Sequence, residues 1–146
     1  MHQLSSFGIT ESRCLLLVAL SSILFLLYSS YKENNDYPKY LTQKEYVNTV
    51  IKKDMNLVFY KRTCPYCKVG KKAVISEAKK SAITSYFVDV EIKEGKLLAK
   101  KYSVEYAPSI VVIREGKSKV YLYAGDKDNK KVVYKNVIKT VFSNER

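Results

Sequence analysis

Two cysteines separated by two residues carry the clearest chemical signal in the sequence. The motif Cys64-Pro65-Tyr66-Cys67 follows the short apolar run Met55–Tyr60 and precedes a helical pattern. Cysteines at positions i and i+3 in the first turn of a helix can approach within disulfide distance. The spacing therefore predicts a redox-active dithiol, with Cys64 as the nucleophile and Cys67 as the resolving thiol. Half of a zinc site and two unrelated core cysteines are the alternative interpretations.

The residues around the first cysteine favour its thiolate. Cys64 lies where the free N–H groups and the positive end of a helix dipole stabilise an anion. Three basic residues add positive charge and are predicted to tune the site: Lys61, Arg62 and Lys68. The alternative is that these three residues belong to a solvated basic face and have no role at the site. Pro65 fits the first turn of a helix, where its missing N–H is not needed. Pro65 and Tyr66 are both predicted to flank the site and to contact the substrate.

The rest of the sequence predicts helices around one central sheet. The predicted elements are a helix at 41–53, a strand at 55–60, a helix at 65–80, a strand at 86–90, a helix at 95–102, strands at 109–114 and 119–124, and a helix at 129–142. The second helix is predicted to point four side chains inward: Val69, Ala73, Ile75 and Ala78. Glu115-Gly116-Lys117 is the expected hairpin turn. Strands separated by helices are expected to be parallel, and the last two antiparallel.

Three segments together resemble the thioredoxin superfamily over residues 41–142. They are LVFYKRTCPYC, the strand YFVDV, and Tyr106-Ala107-Pro108-Ser109 at the start of the hairpin. The resemblance implies a thioredoxin fold, a three-layer α/β/α sandwich with a mixed central sheet. It also implies that Pro108 is cis and packs beside the cysteines, and that Ala107 offers its backbone to an extended substrate. The alternative is a trans proline that starts an edge strand.

Several positions depart from the pattern of that superfamily. Thr63 precedes the first cysteine where tryptophan is common, and the dipeptide Pro-Tyr is typical of glutaredoxins. The glutathione-binding features of glutaredoxins are absent, so glutathione is not the expected dedicated partner. Val58 replaces the buried aspartate that thioredoxins carry six residues before the first cysteine. Proton transfer to and from Cys67 is therefore expected to use another base or water.

An uncharged apolar segment occupies residues 14–31, after a polar lead at 1–13. Its eighteen residues would span roughly 27 Å as a helix, close to a hydrocarbon core of about 30 Å. The segment is predicted to be a transmembrane anchor, with a cleaved signal sequence or a buried helix as alternatives. A linker at 32–40 and the thioredoxin-like domain at 41–146 follow. The domain is expected outside the cytoplasm, because an apolar run at the extreme N-terminus resembles an export signal.

Length and composition exclude several classes of protein. The chain has 146 residues, a formal charge of +12 and 47% hydrophobic residues, which suits one folded domain rather than a disordered chain or a multi-domain enzyme. A single histidine argues against a zinc site, and no metal is expected. The lysines lie on the outer faces of the predicted helices, so anionic lipid or wall polymers suit this charge better than nucleic acid. No cofactor is expected, because the Cys64-Cys67 dithiol itself carries the electrons.

The overall pattern resembles membrane-anchored, Lys- and Tyr-rich thioredoxin-like proteins of Gram-positive bacteria, among them bacteriocin transport accessory proteins. This resemblance implies a thiol-disulfide oxidoreductase that acts on the thiols and disulfides of exported proteins or peptides. Its redox partner would be an electron donor or an oxidant in the membrane. The direction of the reaction stays open. The alternative is a non-catalytic binding or accessory module with a thioredoxin fold, in which the cysteines are incidental.

Overall fold

The computed structural model describes residues 7–34, Tyr37 and residues 54–143. The chain divides into two compact units, one ending at Asp36 and the other beginning at Tyr37. The helix predicted at 41–53 and most of the linker predicted at 32–40 lie outside the described residues.

Helix α1, Phe7–Asn34, is the described part of the first unit. Its segment Arg13–Ser30 is long and apolar enough to cross a membrane, a test that a signal sequence would also pass. The apolar side chains of this segment are exposed, for example Leu15 at 71% and Phe25 at 69%. The helix continues to Asn34, into the predicted linker, because no proline or glycine interrupts the sequence there.

The second unit contains a mixed sheet with helices on both faces, which confirms the predicted three-layer architecture. Its elements are β1 (Met55–Tyr60), α2 (Pro65–Lys80), β2 (Ser85–Asp89), α3 (Lys93–Lys101), β3 (Ser109–Arg114), β4 (Lys117–Leu122), β5 (Ala124–Lys127), β6 (Lys130–Val133) and α4 (Lys135–Phe142). The strand order is β2-β1-β3-β4. β1 is parallel to β2 and antiparallel to β3, and β3 is antiparallel to β4.

The alternation of side chains along β1 builds the two halves of the core. Val58 packs on one face of the sheet, in a cluster with Val74 of α2 and Ile138 of α4. Leu57 packs on the opposite face, in a cluster with Leu98 of α3. Because successive strand residues point to opposite faces, this one buried strand supports the helices on both sides.

The buried stripe of α2 differs from the predicted one. It consists of Cys67, Gly70 and Val74, whereas Val69 is 43% exposed. The spacing of three and then four residues keeps the stripe on one face of a helix, and that face begins at the second cysteine. The prediction that Val69 points inward is wrong, because Val69 lies beside this face and not on it. Ala73, Ile75 and Ala78 are partly buried against the core cluster, as predicted.

The β3–β4 hairpin has a shorter turn than predicted. Arg114 pairs with Lys117, so the turn consists of Glu115 and Gly116 alone. Both have positive φ, 50° and 76°, as a two-residue hairpin turn requires. β4 therefore begins at Lys117, not at residue 119, and ends before Tyr123.

A second hairpin replaces the first part of the predicted helix at 129–142. β5 and β6 pair in antiparallel fashion, with Lys127 opposite Lys130. The turn residues Asp128 and Asn129 have φ of 51° and 58°, a conformation that aspartate and asparagine tolerate better than most residues. Helix α4 begins only at Lys135. The other elements predicted within the described residues agree with the structure to within two residues at each end.

Candidate functional site

The β1–α2 connection places both cysteines beyond the carboxyl end of β1. Cys64 is the residue that precedes the first turn of α2, and Pro65 occupies that turn, as predicted. The Cys64 N–H donates to the Lys61 carbonyl oxygen at 3.2 Å, and the Lys68 N–H donates to the Cys64 carbonyl oxygen at 3.2 Å. These bonds hold Cys64 beside the first N–H groups of the helix, which helices leave available to an anion.

The two thiols differ in exposure. Cys64 is partly exposed, whereas Cys67 is 1% exposed, and both are free thiols. The Cys64 Sγ lies 3.7 Å from the carbonyl oxygen of Ala107. The Ala107-Pro108 peptide bond is cis and Pro108 is buried, so the structure brings together the cysteine and the Ala107-Pro108 pair.

The surroundings of Cys67 keep it protonated. Burial, together with the neighbouring Cys64, raises the pKa of the Cys67 thiol to about 12, although the Lys61 N–H and the Tyr123 hydroxyl act in the opposite direction. The Lys61 N–H lies 3.4 Å from the Cys67 Sγ. Lys61, predicted to tune the site through its charge, therefore contacts the resolving thiol through its backbone.

Two buried tyrosines lie next to Cys67, and the sequence analysis did not identify either of them. The Tyr37 hydroxyl donates to the Cys67 carbonyl oxygen at 2.8 Å and is 3.1 Å from the Tyr123 hydroxyl oxygen. The Tyr37 ring stacks on Tyr60 with centroids 3.9 Å apart. Burial raises the pKa of both Tyr37 and Tyr123 above the ordinary value for tyrosine. Both side chains therefore remain hydroxyl donors at neutral pH.

Arg62 and Thr63, which precede Cys64, bind carboxylates at the end of β2 and just after it. The Arg62 Nε donates to Asp89 Oδ2 at 2.9 Å, and the Arg62 backbone N–H donates to Glu91 Oε2 at 2.8 Å. The Thr63 hydroxyl donates to Glu91 Oε1 at 3.0 Å. Partial burial raises the pKa of Glu91, but these bonds and the Lys61 charge outweigh it and lower the pKa below its ordinary value. The described contacts thus give Arg62 a role in fixing the loop before Cys64.

A family model described as Thioredoxin matches residues 37–139, which is most of the chain. The chain belongs to the thioredoxin family. The mixed sheet with helices on both faces is accordingly a thioredoxin fold, and the Cys64-Cys67 pair of this thioredoxin domain fits thiol-disulfide oxidoreductase activity.

Two solved thioredoxin structures share the fold of this domain. Thioredoxin O1 from Arabidopsis thaliana in the oxidised state is 16% identical, with 70% of this chain and 94% of that chain covered and a TM-score of 0.51. Thioredoxin O2 from the same plant is 15% identical, with 70% and 90% covered and a TM-score of 0.50. An uncharacterised thioredoxin-like protein from Clostridium perfringens is 23% identical, with 66% and 74% covered and a TM-score of 0.49. No curated protein sequence matches the chain significantly.

Tyr66 connects the cysteine motif of the thioredoxin domain to the β5–β6 hairpin. Its hydroxyl donates to Asp126 Oδ2 at 2.6 Å, and this bond raises the pKa of Tyr66. The Lys131 ammonium lies 6.0 Å from the centre of the Tyr66 ring. Tyr66 is therefore held in place by a hairpin that was not predicted, and its contact with the substrate stays a prediction.

The remaining predicted tuning residue, Lys68, is exposed on α2. Within residues 7–34, Tyr37 and residues 54–143, no three side chains of histidine, cysteine, aspartate or glutamate come together as a metal ion would require.

Proposed function

We propose that this protein is a membrane-anchored thiol-disulfide oxidoreductase in which Cys64 is the nucleophile and Cys67 the resolving thiol. One observation carries the proposal: a partly exposed Cys64 at a helix N-terminus is paired with a buried Cys67 in a thioredoxin domain. A nucleophile must be reachable by a substrate disulfide. A resolving thiol must be shielded from solvent, so that it reacts with the bond formed at its neighbour rather than with other disulfides.

The exchange follows from these two roles. The Cys64 thiolate attacks one sulfur of a substrate disulfide; a mixed disulfide forms, and the other substrate sulfur leaves as a thiolate that takes a proton from water. Cys67 then loses its proton to solvent and attacks the Cys64 sulfur. The Cys64-Cys67 bond forms, the mixed disulfide breaks, and the second substrate sulfur leaves and is protonated. Two electrons pass to the substrate, and the reverse sequence oxidises a dithiol.

The substrate groove in this proposal lies between the cysteine motif and the cis proline. Ala107, whose carbonyl oxygen is 3.7 Å from the Cys64 Sγ, is close enough to offer backbone hydrogen bonds to a substrate segment that carries the attacked sulfur. Pro108 shapes the floor of this groove. Pro65 and Tyr66 form its opposite side, and the Tyr66–Asp126 bond fixes that side.

The equilibrium reduction potential of the full chain in detergent tests this function. We expect a Cys64-Cys67 disulfide to form across a graded series of thiol-disulfide buffers, with its fraction measured by mass spectrometry. A potential near −270 mV would indicate a reductant, and one near −120 mV an oxidant. A chain that forms no such disulfide at any buffer ratio would contradict the oxidoreductase proposal.

The N-terminal helix supports membrane attachment in the proposal. Exposed leucine and phenylalanine side chains cover the helix in the segment Arg13–Ser30. Exposure of such an apolar surface to water is unfavourable in free energy, whereas contact with lipid is favourable. We place the thioredoxin domain outside the cytoplasm, where its clients would be secreted proteins or peptides whose disulfides must be made or corrected, as for a bacteriocin transport accessory protein. A membrane donor or oxidant would restore the Cys64-Cys67 pair after each cycle.

Labelling of Cys64 in intact cells tests the orientation. In a chain with Cys14→Ser, a membrane-impermeant maleimide is expected to label Cys64 in whole cells as completely as in lysed cells. Cys64→Ser in the same background is the matched control and should lose the label. Labelling that appears only after lysis would place the domain in the cytoplasm and contradict the proposed location, without affecting the proposed chemistry.

A further inference from the structure

We propose that Tyr123 donates the hydrogen bond that stabilises the Cys67 thiolate when Cys67 attacks the mixed disulfide, and that Tyr37 holds Tyr123 in place. This inference rests on the proposed oxidoreductase function and adds a residue to its second step. It assigns a role to the two buried hydroxyl groups nearest the resolving thiol.

Among the described residues, the core cluster that contains the resolving thiol consists of apolar and aromatic side chains. Val58 of β1 lies in the same core cluster, at the position where the thioredoxin pattern has an aspartate. Within the described part of the chain, the groups that most affect the pKa of Cys67 are Cys64, the Lys61 N–H and the Tyr123 hydroxyl, and none of these is a carboxylate. Tyr37 and Tyr60 stack beside them, and the Lys71 ammonium lies 5.0 Å from the centre of the Tyr37 ring. The thiolate must therefore be stabilised by hydrogen-bond donors.

Counting hydrogens shows how Tyr123 can act in both states of Cys67. Each tyrosine has one O–H hydrogen. Tyr37 uses its hydrogen on the Cys67 carbonyl oxygen, so in the 3.1 Å pair Tyr123 is the donor and Tyr37 the acceptor. When Cys67 ionises, the Tyr123 hydrogen can turn toward the sulfur, because the Tyr123 hydroxyl lies 3.1 Å from the Tyr37 hydroxyl that is bound to the Cys67 carbonyl oxygen, and it lowers the pKa of Cys67.

The mixed-disulfide state is the state in which Cys67 must ionise and in which the Tyr123 hydroxyl would act. In the reduced protein, the Cys64 thiol is one of the groups that raise the pKa of Cys67. Once Cys64 is bonded to a substrate sulfur, it carries no charge and no S–H group. The burial of Cys67 is then opposed by two donors, the Lys61 N–H and the Tyr123 hydroxyl.

The packing of Tyr123 fixes the position of its hydroxyl. Tyr123 is fully buried, and its ring lies against Gly70 of α2, where a Cβ atom would come within 2.7 Å of two ring carbons. Its N–H donates to the Pro108 carbonyl oxygen at 3.4 Å. Since α2 and the proline segment both contact the same residue, the hydroxyl is held against the cysteine face of the helix.

Two-phase release of thionitrobenzoate from dithionitrobenzoate tests the inference in the full chain with Cys14→Ser. The first release reports attack by Cys64 and the second reports attack by Cys67. We expect Tyr123→Phe to leave the first phase unchanged and to slow the second roughly ten-fold at pH 7, with its pH profile moved up by about one unit. Tyr121→Phe on β4 is the matched control and should change neither phase. Tyr37→Phe should slow the second phase less than Tyr123→Phe.

The outcomes distinguish a failure of the proposed role of Tyr123 from a failure of the proposed oxidoreductase function. An unchanged second phase and pH profile in Tyr123→Phe would overturn the role of Tyr123 and leave the oxidoreductase function intact. A slower second phase with an unshifted pH profile would also overturn it, since that result indicates altered packing. If the Cys14→Ser chain released only one thionitrobenzoate, the proposed function itself would be wrong, and the role of Tyr123 with it.

Discussion

Replacing Cys64 with serine should reduce disulfide exchange to the rate of the uncatalysed reaction, whereas replacing Cys67 with serine should stop the cycle after its first step. Serine has no accessible anion at neutral pH, so Cys64→Ser lacks the nucleophile that begins the exchange. Cys67→Ser retains that nucleophile at the start of α2 but cannot break the mixed disulfide. Uncatalysed rearrangement of such a bond takes minutes to hours, so the intermediate should accumulate.

Reduction of insulin by dithiothreitol, followed by turbidity, measures the first effect. Non-reducing electrophoresis of the Cys67→Ser chain after incubation with a disulfide-containing protein measures the second, as a covalent adduct released by excess thiol. Cys14→Ser is the control and should keep full activity, since Cys14 lies in α1 and outside the thioredoxin domain. Full activity of both Cys64→Ser and Cys67→Ser would favour the non-catalytic binding module.

The part of the site that depends on neighbouring residues in the chain was predictable. The Cys64-Pro65-Tyr66-Cys67 motif defines a helix N-terminus by its own chemistry, and the apolar run before it defines a buried strand. The three-layer fold and the mixed sheet followed from alternating strands and helices. The place of the Ala107-Pro108 pair required the resemblance to the superfamily, because the Cys64–Ala107 contact joins residues 43 positions apart.

The groups around Cys67 were not predictable, because they come from distant parts of the chain. The Tyr37–Tyr123 pair joins residues 86 positions apart, and the Arg62–Asp89 pair joins residues 27 apart. A sequence shows that Arg62 is basic, but not which carboxylate binds it. One signal was present for Tyr123. It lies two residues after Tyr121 in the strand predicted at 119–124, and residues two apart in a strand point to the same face of the sheet.

The β5–β6 hairpin was missed for a different reason. Lys131, Val133 and Val137 also fit the spacing of an amphipathic helix, and the predicted helix was extended back to Asn129. The left-handed conformation of these two residues allows a tight turn, after which the chain pairs back on itself. A segment as short as Lys130–Val133 is compatible with a helix or a strand, and here the turn decides between them.

The rate at which iodoacetamide alkylates Cys67 should depend on pH differently from the rate for an ordinary cysteine. Only the thiolate reacts with iodoacetamide, and burial raises the pKa of Cys67 from the ordinary 9.0 to about 12. At neutral pH Cys67 should therefore contain about a thousand-fold less thiolate than an ordinary cysteine. Its alkylation rate should increase about ten-fold per pH unit through pH 10.5, whereas the rate for an ordinary thiol levels off above about pH 9.

Mass spectrometry of peptides from the reduced full chain in detergent measures these rates separately for each cysteine. The same chain unfolded in guanidinium is the control, and there Cys67 should react as an ordinary thiol. A Cys67 rate in the folded chain that levels off near pH 9 would show that burial does not raise its pKa, and would contradict this account of the resolving thiol.

The proton of the Cys67 thiol links the redox state of the protein to its stability at alkaline pH. The pKa of Cys67 is higher in the folded chain than in the unfolded chain, so the folded reduced protein holds this proton more tightly. Its stabilising contribution is complete below about pH 9 and is lost as the pH rises toward 12, by at most about 1.4 kcal/mol per pH unit. The oxidised protein has no Cys67 proton to lose, although Tyr37 and Tyr123 titrate in both forms. Urea unfolding between pH 8 and about 10.5 should therefore show a steeper alkaline loss for the reduced chain, and parallel curves would indicate that Cys67 ionises as easily when folded as when unfolded.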